Sequence, residues 1–169
     1  TGVHVQMAAA KNVIPVTLEL GGKSPQLVFD DADLDAALPF LVNAGIQNAG
    51  QTCSASSRIL VQRGIYEEVA ARMAKAYAAL KVGPALEDHN VGPLISARQK
   101  EIVSGFLSQG GALEKIAEGQ IMAGAPEGGH YVAPTLFAPV DPTHSLAQDE
   151  IFGPVQVIIP FDDEAEALA

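Results

Sequence analysis

The stretch Gly45-Ile-Gln-Asn-Ala-Gly-Gln-Thr-Cys53-Ser-Ala-Ser-Ser-Arg58 carries the only cysteine of the chain, and the patterns on its two sides differ. An apolar helical pattern ends near Ala49, and the strand-like run Arg58-Ile-Leu-Val-Gln62 begins five residues after the cysteine. Cys53 therefore lies in a short loop between a helix and a strand, where binding and catalytic groups are often found. A lone cysteine is more often a small buried hydrophobe, but the neighbours here are small and polar. The local sequence leaves both a buried thiol and a reactive thiol open.

Outward from this stretch, strand-like and helix-like segments alternate. This alternation is typical of βαβ crossovers, and it predicts an α/β fold with an open, mainly parallel sheet and helices on both faces. In such sheets, sites gather beyond the carboxyl ends of the strands, and we expect the site there. The predicted strands are Ile14–Leu20, Gln26–Phe29, Arg58–Gln62, Tyr131–Phe137 and Val155–Ile159; the predicted helices begin near Gly2, after Asp33, near Ile65, after Ser96 and after Asp162; residues 119–129 are expected to form surface turns.

Composition restricts the possible classes of protein. The chain has 169 residues, 48% of them hydrophobic and 18% charged, which is typical of a soluble globular domain. Its net charge of −10 argues against nucleic acid and anionic membrane surfaces as partners, since both require a basic face. One cysteine excludes an internal disulfide framework and suits the cytoplasm. The chain opens at Thr1 within a helical pattern and stops within another, so we expect a segment of a longer protein.

Two familiar site patterns are not met. Gly21-Gly-Lys-Ser24 invites a phosphate-loop interpretation, but the glycine that this motif requires five residues before its Gly-Lys-Ser is replaced by Thr17. No Gly-x-Gly-x-x-Gly occurs, so that dinucleotide fingerprint is missing as well. The four histidines are far apart and have no cysteine cluster near them, so no metal site is predicted.

Glu19 is unusual because it interrupts an otherwise apolar strand-like run just before a pair of glycines. One interpretation is a structural ion pair with Lys23 or Arg58. The other is a buried carboxylate that acts as a general base. The segment Asp149-Glu-Ile-Phe-Gly-Pro154 also places a carboxylate and an aromatic ring just before a turn.

Three segments together resemble the signature segments of the aldehyde dehydrogenase superfamily. They are Leu18-Glu-Leu-Gly-Gly-Lys-Ser-Pro25, Gly50-Gln-Thr-Cys-Ser-Ala55 and Glu150-Ile-Phe-Gly-Pro-Val155. They occur in the order of the family, and the spacings 53 − 19 = 34 and 150 − 53 = 97 match its pattern. The resemblance spans nearly the whole chain. It implies that residues 1–20 are a remnant of the coenzyme-binding domain and that residues 21–169 belong to a catalytic domain truncated at its C-terminus.

The resemblance also implies roles for individual residues. Cys53 would be the nucleophile and Glu19 the general base that activates water to hydrolyse a thioester. Glu150 would bind the nicotinamide-ribose hydroxyls, and Phe152 would lie next to the nicotinamide. Leu20 and Gly21 match backbone positions beside the carboxamide.

The implied activity of the parent protein is oxidation of a small aldehyde to a carboxylate with NAD or NADP. The parent is expected to be a homo-oligomer. Two alternatives remain: a relative that transfers the acyl group to coenzyme A, and a member of the same fold that serves as a binding or structural module. Glu19 favours the hydrolytic enzyme over the first, and the intact set of Cys53, Glu19 and Glu150 argues against the second.

Overall fold

A computed structural model describes all residues from Thr1 to Ala169. No helix in it combines the length and the apolar character that crossing a membrane requires. In chain order the elements are α1 (Gly2–Lys11), β1 (Pro25–Val28), α2 (Leu34–Ile46), β2 (Arg58–Gln62), α3 (Tyr66–Ala78), β3 (Lys81–Val82), α4 (Ala97–Gln109), β4 (Lys115–Glu118), β5 (Gln120–Ile121), β6 (Thr135–Phe137), α5 (Ser145–Gln148), β7 (Val155–Phe161) and α6 (Glu164–Leu168).

The main sheet has five strands in the order β1-β2-β7-β6-β4. All neighbours in it are parallel except β4, which runs antiparallel to β6 at one edge. Pro25, Arg58 and Val157 are register partners across β1, β2 and β7, so the amino ends of these strands lie at one edge of the sheet. The predicted mainly parallel sheet is confirmed. A second sheet pairs only β3 with β5.

Helices cover both faces of the main sheet. The side chain of Gln156 in β7 is hydrogen-bonded to a carbonyl of α2 and a tyrosine of α3, which places both helices on its face. Successive strand residues point to opposite faces, so Val157 and its register partner Phe137 face the other side. A Cβ atom at Gly110, directly after α4, would lie 3.0 Å from the Phe137 ring and 3.1 Å from Leu146 of α5. The second face is therefore covered by α4 and α5.

The central strand β7 shows why this arrangement is stable. Residues 155–159 are all buried, as expected for a strand that is covered on both faces. In β2, Ile59 and Val61 are fully buried and alternate with half-buried residues. On α3, Val69, Met73 and Tyr77 are buried at four-residue steps and form the helix face that packs on the sheet.

Two predicted helix starts are confirmed, and each begins with a side-chain cap. The Asp33 carboxylate accepts hydrogen bonds from the backbone N–H groups of Asp35 and Ala36, both at 3.1 Å. The Ser96 hydroxyl accepts one from the N–H of Gln99 at 3.2 Å. Each cap satisfies donors that the first helical turn would otherwise leave unpaired.

The strand predicted for Ile14–Leu20 is wrong. This segment has no regular secondary structure, and the side chains of Ile14 and Leu20 are 58% and 52% exposed. A β-rich composition reflects fit to a pleated, half-buried surface, and no strand lies beside this segment to provide one, because β1 pairs only with β2.

Smaller differences concern element ends. The strand predicted for Tyr131–Phe137 forms only over Thr135–Phe137, directly after Pro134, whose missing N–H cannot enter a ladder. Residues Lys81–Val82, which follow α3, form a short strand pair with Gln120–Ile121. Gln120 and Ile121 lie within residues 119–129, the stretch predicted to form turns.

Candidate active site

The three signature segments lie at one edge of the main sheet. Residues 21–24 directly precede β1, residues 51–57 precede β2, and residues 150–154 precede β7. Since these strands are parallel and in register, the three segments gather at their amino ends. The expectation that the site lies beyond the carboxyl ends is therefore wrong for these residues.

The cysteine loop, residues 47–57, begins with an unusual backbone. After α2 ends at Ile46, Asn48 and Ala49 have positive φ angles of 51° and 55°, and Gly50 has φ 73°. The Asn48 side chain donates to the carbonyl of Gln51 at 2.9 Å, and the Gln51 side chain donates to the carbonyl of Asn48 at 3.0 Å. These reciprocal bonds stabilise a conformation that L residues rarely adopt.

Cys53 follows this turn and is exposed, with a free thiol. The structure therefore excludes the interpretation of Cys53 as a small buried hydrophobe. Its backbone N–H takes part in no hydrogen bond within the chain, although Ala55 N–H donates to Thr52 O at 2.9 Å on the other side of the turn. A nucleophilic sulfur and a free N–H group at the same residue are the parts that attack on a carbonyl requires.

The cysteine loop contacts residues 149–154 through backbone atoms, and this segment is named the cofactor loop after the predicted roles of Glu150 and Phe152. A Cβ atom at Gly50 would lie 2.1 Å from the carbonyl oxygen of Gly153 and 2.7 Å from the nitrogen of Pro154. These are backbone atoms that cannot rotate away, and φ at Gly50 is positive, so the position requires glycine. The two loops that carry Cys53 and Glu150 are therefore packed directly against each other.

The first turn of α4 and the residue just before its cap are hydrogen-bonded to the two loops. The backbone N–H of Ile95 donates to the side-chain oxygen of Gln51 at 2.9 Å. The side-chain nitrogen of Gln99 donates to the carbonyls of Ile151 at 3.2 Å and Phe152 at 2.9 Å. Phe152 has a positive φ of 55°, which is costly for an aromatic residue, and the bonds from Gln99 stabilise this conformation.

Gly21 and Glu150, two of the residues predicted to bind the cofactor, are neighbours. A Cβ atom at Gly21 would lie 2.0 Å from the Glu150 carboxylate oxygen Oε2. The Ser24 hydroxyl makes a long 3.5 Å hydrogen bond to the carbonyl of Cys53, which joins the segment after Gly21 to the cysteine loop. Phe152 is 38% exposed and Leu20 is 52% exposed, so both side chains reach the surface.

Glu19 differs from both sequence-based interpretations. It is exposed, so it is not a buried strand carboxylate. It also forms no ion pair with Lys23 or Arg58, because Lys23 Nζ and Arg58 Nε are buried without any hydrogen-bond partner. Its segment lacks the neighbouring strand that would have buried it, and it leads directly to Gly21.

Lys23 and Arg58 give this edge of the sheet its electrostatic character. Burial, and next the nearby charge of Arg58, lower the pKa of Lys23 to about 8, whereas the carboxylates of Asp149 and Glu150 oppose the shift. Arg58, Asp149 and Glu150 therefore all lie close enough to Lys23 to influence its charge. No group of three or more His, Cys, Asp or Glu side chains could hold a metal ion.

Sequence reasoning missed Gln99 and Gln156 as residues of this region, and it did not predict the burial of Lys23 Nζ. The Gln99 side chain bonds the cofactor loop, which lies 52 and 53 residues away in sequence. Gln156 had a visible signal, since it is the one polar residue in the apolar run Val155-Gln-Val-Ile-Ile159. The burial of Lys23 Nζ had none, because it depends on the packing of loops.

Together, the fold and its three converging loops define a thiol-bearing α/β domain with an exposed cysteine beside a cluster of charged residues. Comparison with known proteins makes the class specific: the model of the aldehyde dehydrogenase family matches residues 1–169. The chain belongs to the aldehyde dehydrogenase family. The recognition made from the three signature segments is confirmed.

Individual relatives agree with this assignment. The chain is 41% identical to betaine aldehyde dehydrogenase of Rhizobium leguminosarum bv. trifolii (strain WSM2304), over 100% of this chain and 35% of that protein. A provisionally assigned aldehyde dehydrogenase of Burkholderia cenocepacia superposes with a TM-score of 0.96 at 54% identity, over 99% of this chain and 36% of that one. Mycobacterium tuberculosis aldehyde dehydrogenase in complex with NAD+ superposes with a TM-score of 0.86 at 42% identity, over 99% and 35%. The chain thus spans about 35% of the length of the curated relatives that it matches.

Proposed function

We propose that this chain is the thiol-bearing part of an enzyme that oxidises a small aldehyde to a carboxylate with NAD or NADP. The observation that carries the proposal is the direct packing of the cysteine loop on the cofactor loop at Gly50 and Gly153, beside the exposed Cys53. In this proposal residues 1–20 belong to the coenzyme-binding domain and residues 21–169 to the catalytic domain. The parent chain is longer and assembles as a homo-oligomer.

In the first step the Cys53 thiolate attacks the aldehyde carbonyl carbon, and a carbon–sulfur bond forms while the carbonyl π electrons move to oxygen. The free N–H of Cys53 donates a hydrogen bond to this oxyanion. NAD(P), when bound, would supply the hydride acceptor. The carbon–oxygen double bond would re-form as the hydride leaves the former aldehyde carbon, and a thioester would remain on Cys53.

Glu19 serves the second step, hydrolysis of the thioester. Its carboxylate removes a proton from water, the hydroxide adds to the thioester carbon, and the Cys53 thiolate leaves as the carboxylate product forms. Glu19 is exposed and lies in a segment without regular secondary structure, so it is accessible to water. Its position two residues before Gly21 keeps it next to the cofactor-binding residues.

The residues at the cofactor loop fit a nicotinamide-ribose. The Glu150 carboxylate can accept hydrogen bonds from two vicinal hydroxyls, and Phe152 offers an exposed aromatic face. Gly21 lies against the Glu150 carboxylate, and any larger residue there would occupy the carboxylate's position. The backbone of Leu20 and Gly21 is accessible for hydrogen bonds to the carboxamide.

The proposal is tested in the full-length chain that carries these residues. Betaine aldehyde is the first substrate to assay, because a 41%-identical relative is named for it. We expect reduction of NAD or NADP that depends on aldehyde and is abolished in Cys53→Ser. Turnover that persists in Cys53→Ser would exclude Cys53 as the nucleophile.

A further inference from the structure

Gln156 is a fully buried polar residue at the centre of an apolar strand. Its exposed fraction is 0%, and it is surrounded in sequence by buried aliphatic residues of β7. An unpaired amide in such a place is strongly unfavourable, so the fold tolerates Gln156 only if its amide is hydrogen-bonded. All of them are made within the chain.

The bonds of Gln156 fix the orientation of its amide. Its nitrogen Nε2 donates to the carbonyl of Leu41 at 3.1 Å and to the carbonyl of Ser56 at 2.6 Å. Its oxygen Oε1 accepts a hydrogen bond from the Tyr77 hydroxyl. A reversed amide would place an oxygen against two carbonyl oxygens, so only this orientation satisfies the site.

The surrounding residues leave room for this amide and no more. A Cβ atom at Gly45 of α2 would lie 2.1 Å from the Gln156 side-chain carbon Cδ. Tyr77 is fully buried, and its hydroxyl bonds the Gln156 oxygen without solvent exposure. Gln156 therefore connects α2, α3 and the backbone of the cysteine loop at one point inside the fold.

The contact with Ser56 is the one that bears on function. Ser56 follows Cys53 by three residues, and the next carbonyl, that of Ser57, accepts a hydrogen bond from the N–H of Val157 at 3.0 Å. Strand β7 therefore holds two consecutive carbonyls at the exit of the cysteine loop, that of Ser56 through the side chain of Gln156 and that of Ser57 through the backbone N–H of Val157. The same amide holds Leu41 in the helix that leads into the loop.

We infer that Gln156 is a positioning residue for Cys53: through Ser56 it fixes the exit of the cysteine loop relative to β7, and through Leu41 it fixes the helix that leads into the loop. This inference rests on the proposed function for its kinetic consequence only. The cofactor loop has an additional anchor in Gln99, so loss of the Gln156 amide should displace the thiol more than Phe152. A misplacement of about 1 Å can cost on the order of 10²-fold in rate.

The test compares Gln156→Met with Tyr77→Phe in the full-length chain. Met has a similar size but no donors, so the Ser56 and Leu41 carbonyls lose their partner. Phe removes only the donor to Oε1 and keeps both bonds from Gln156 to the backbone. We expect kcat to fall at least 10-fold in Gln156→Met with KM for NAD within twofold, and kcat to stay within twofold in Tyr77→Phe despite a lower Tm.

A purely structural role would give a different pattern. In that case kcat would follow the folded fraction in both variants, or Gln156→Met would keep kcat within twofold, and either result overturns the inference. If Gln156→Met does not fold, the double variant Gln156→Met/Tyr77→Phe also removes the Tyr77 hydroxyl that the first change leaves unpaired, and so it avoids the cost of one buried unsatisfied group. That variant should fold and keep the reduced kcat expected for Gln156→Met. Recovery of the wild-type kcat in it would also overturn the inference.

A second measurement separates this inference from the proposed function. The rate at which iodoacetamide alkylates Cys53, followed by mass spectrometry of its peptide, requires neither aldehyde nor cofactor. If the wild type oxidises no aldehyde, the proposed function fails, and the inference about Gln156 is tested by the alkylation rates alone. A change of at least threefold in Gln156→Met with no change in Tyr77→Phe supports the inference, and equal rates in all three proteins refute it.

Discussion

Replacing Gly21 by alanine tests the contact between Gly21 and Glu150. A Cβ atom at Gly21 would lie 2.0 Å from Glu150 Oε2, 2.9 Å from its Cδ and 3.2 Å from its Oε1, and all three atoms belong to the far end of a flexible side chain. Glu150 is exposed, so its side chain can rotate away at little cost. The substitution should displace the carboxylate and leave the fold intact.

The magnitude follows from what the carboxylate binds. In the proposed function, Glu150 accepts hydrogen bonds from the ribose hydroxyls, and a hydrogen bond to a charged group contributes about 1.5–3 kcal/mol. Since about 1.4 kcal/mol corresponds to a tenfold change in affinity, the KM for NAD should rise about 10- to 150-fold. The Tm should change by only a few degrees, because no backbone atom is displaced.

Gly22 provides a matched control. A Cβ atom there meets nothing within 4 Å, so Gly22→Ala should leave both KM and Tm close to wild type. The assay is steady-state kinetics with NAD varied at saturating aldehyde in the full-length chain, with thermal unfolding measured on the same samples. An unchanged KM in Gly21→Ala, or equal increases in the two variants, would refute the reasoning that places Glu150 at the cofactor.

Three further predictions concern the base, the buried lysine and the isolated chain. Glu19→Gln should accumulate the thioester, with a burst of NADH followed by a steady rate lower by about 10²-fold, as expected when a general base is lost. The pKa of Lys23 lies at about 8, below its ordinary 10.5. Above pH 8 the unfolded state therefore binds more protons than the folded state, and the free energy of unfolding should rise with pH. Burial raises the pKa of the Tyr77 phenol, which opposes this rise above about pH 10. Urea unfolding between pH 8 and 10 should therefore show a rising midpoint that Lys23→Met removes. The isolated 169 residues should bind NAD only at millimolar strength or weaker by calorimetry, because they offer contacts to the nicotinamide half alone.

Each of these predictions has a contradicting outcome. Equal loss of burst and steady rate in Glu19→Gln would give Glu19 another role, such as activation of the thiol. A midpoint that stays flat between pH 8 and 10 in the wild type would mean that Lys23 keeps its ordinary proton affinity. Micromolar binding of NAD by the isolated chain would show that these residues carry most of the cofactor site.

Local signals in the sequence predicted most of the regular elements. The helix start after Asp33, the strand-like run Arg58–Gln62 and the mainly apolar run that follows Pro154 each depend on neighbours that are close in sequence, and the structure contains all three elements. The segment before β1 could not be predicted in this way. Its composition is β-rich, but whether it forms a strand depends on a partner elsewhere in the chain.

The site shows the same division. The three signature segments identified Gly21, Cys53 and Glu150, and the structure joins them through contacts between loops. The bonds from Gln99 to the cofactor loop span 52 and 53 residues, and the bond from Gln156 to Ser56 spans 100. Contacts at such separations leave no periodic pattern, so they are visible only once the strands are in register.

The most direct measurement is the mass of Cys53 during turnover. The full-length chain is mixed with aldehyde and NAD, quenched in acid within the first turnovers, digested and analysed by mass spectrometry, with Glu19→Gln used to slow hydrolysis of the thioester. We expect the peptide that contains Cys53 to gain the mass of the acyl group, and only when both aldehyde and NAD are present. An acyl group on a different residue, or steady turnover without any adduct on Cys53, would contradict the assignment of Cys53 as the nucleophile.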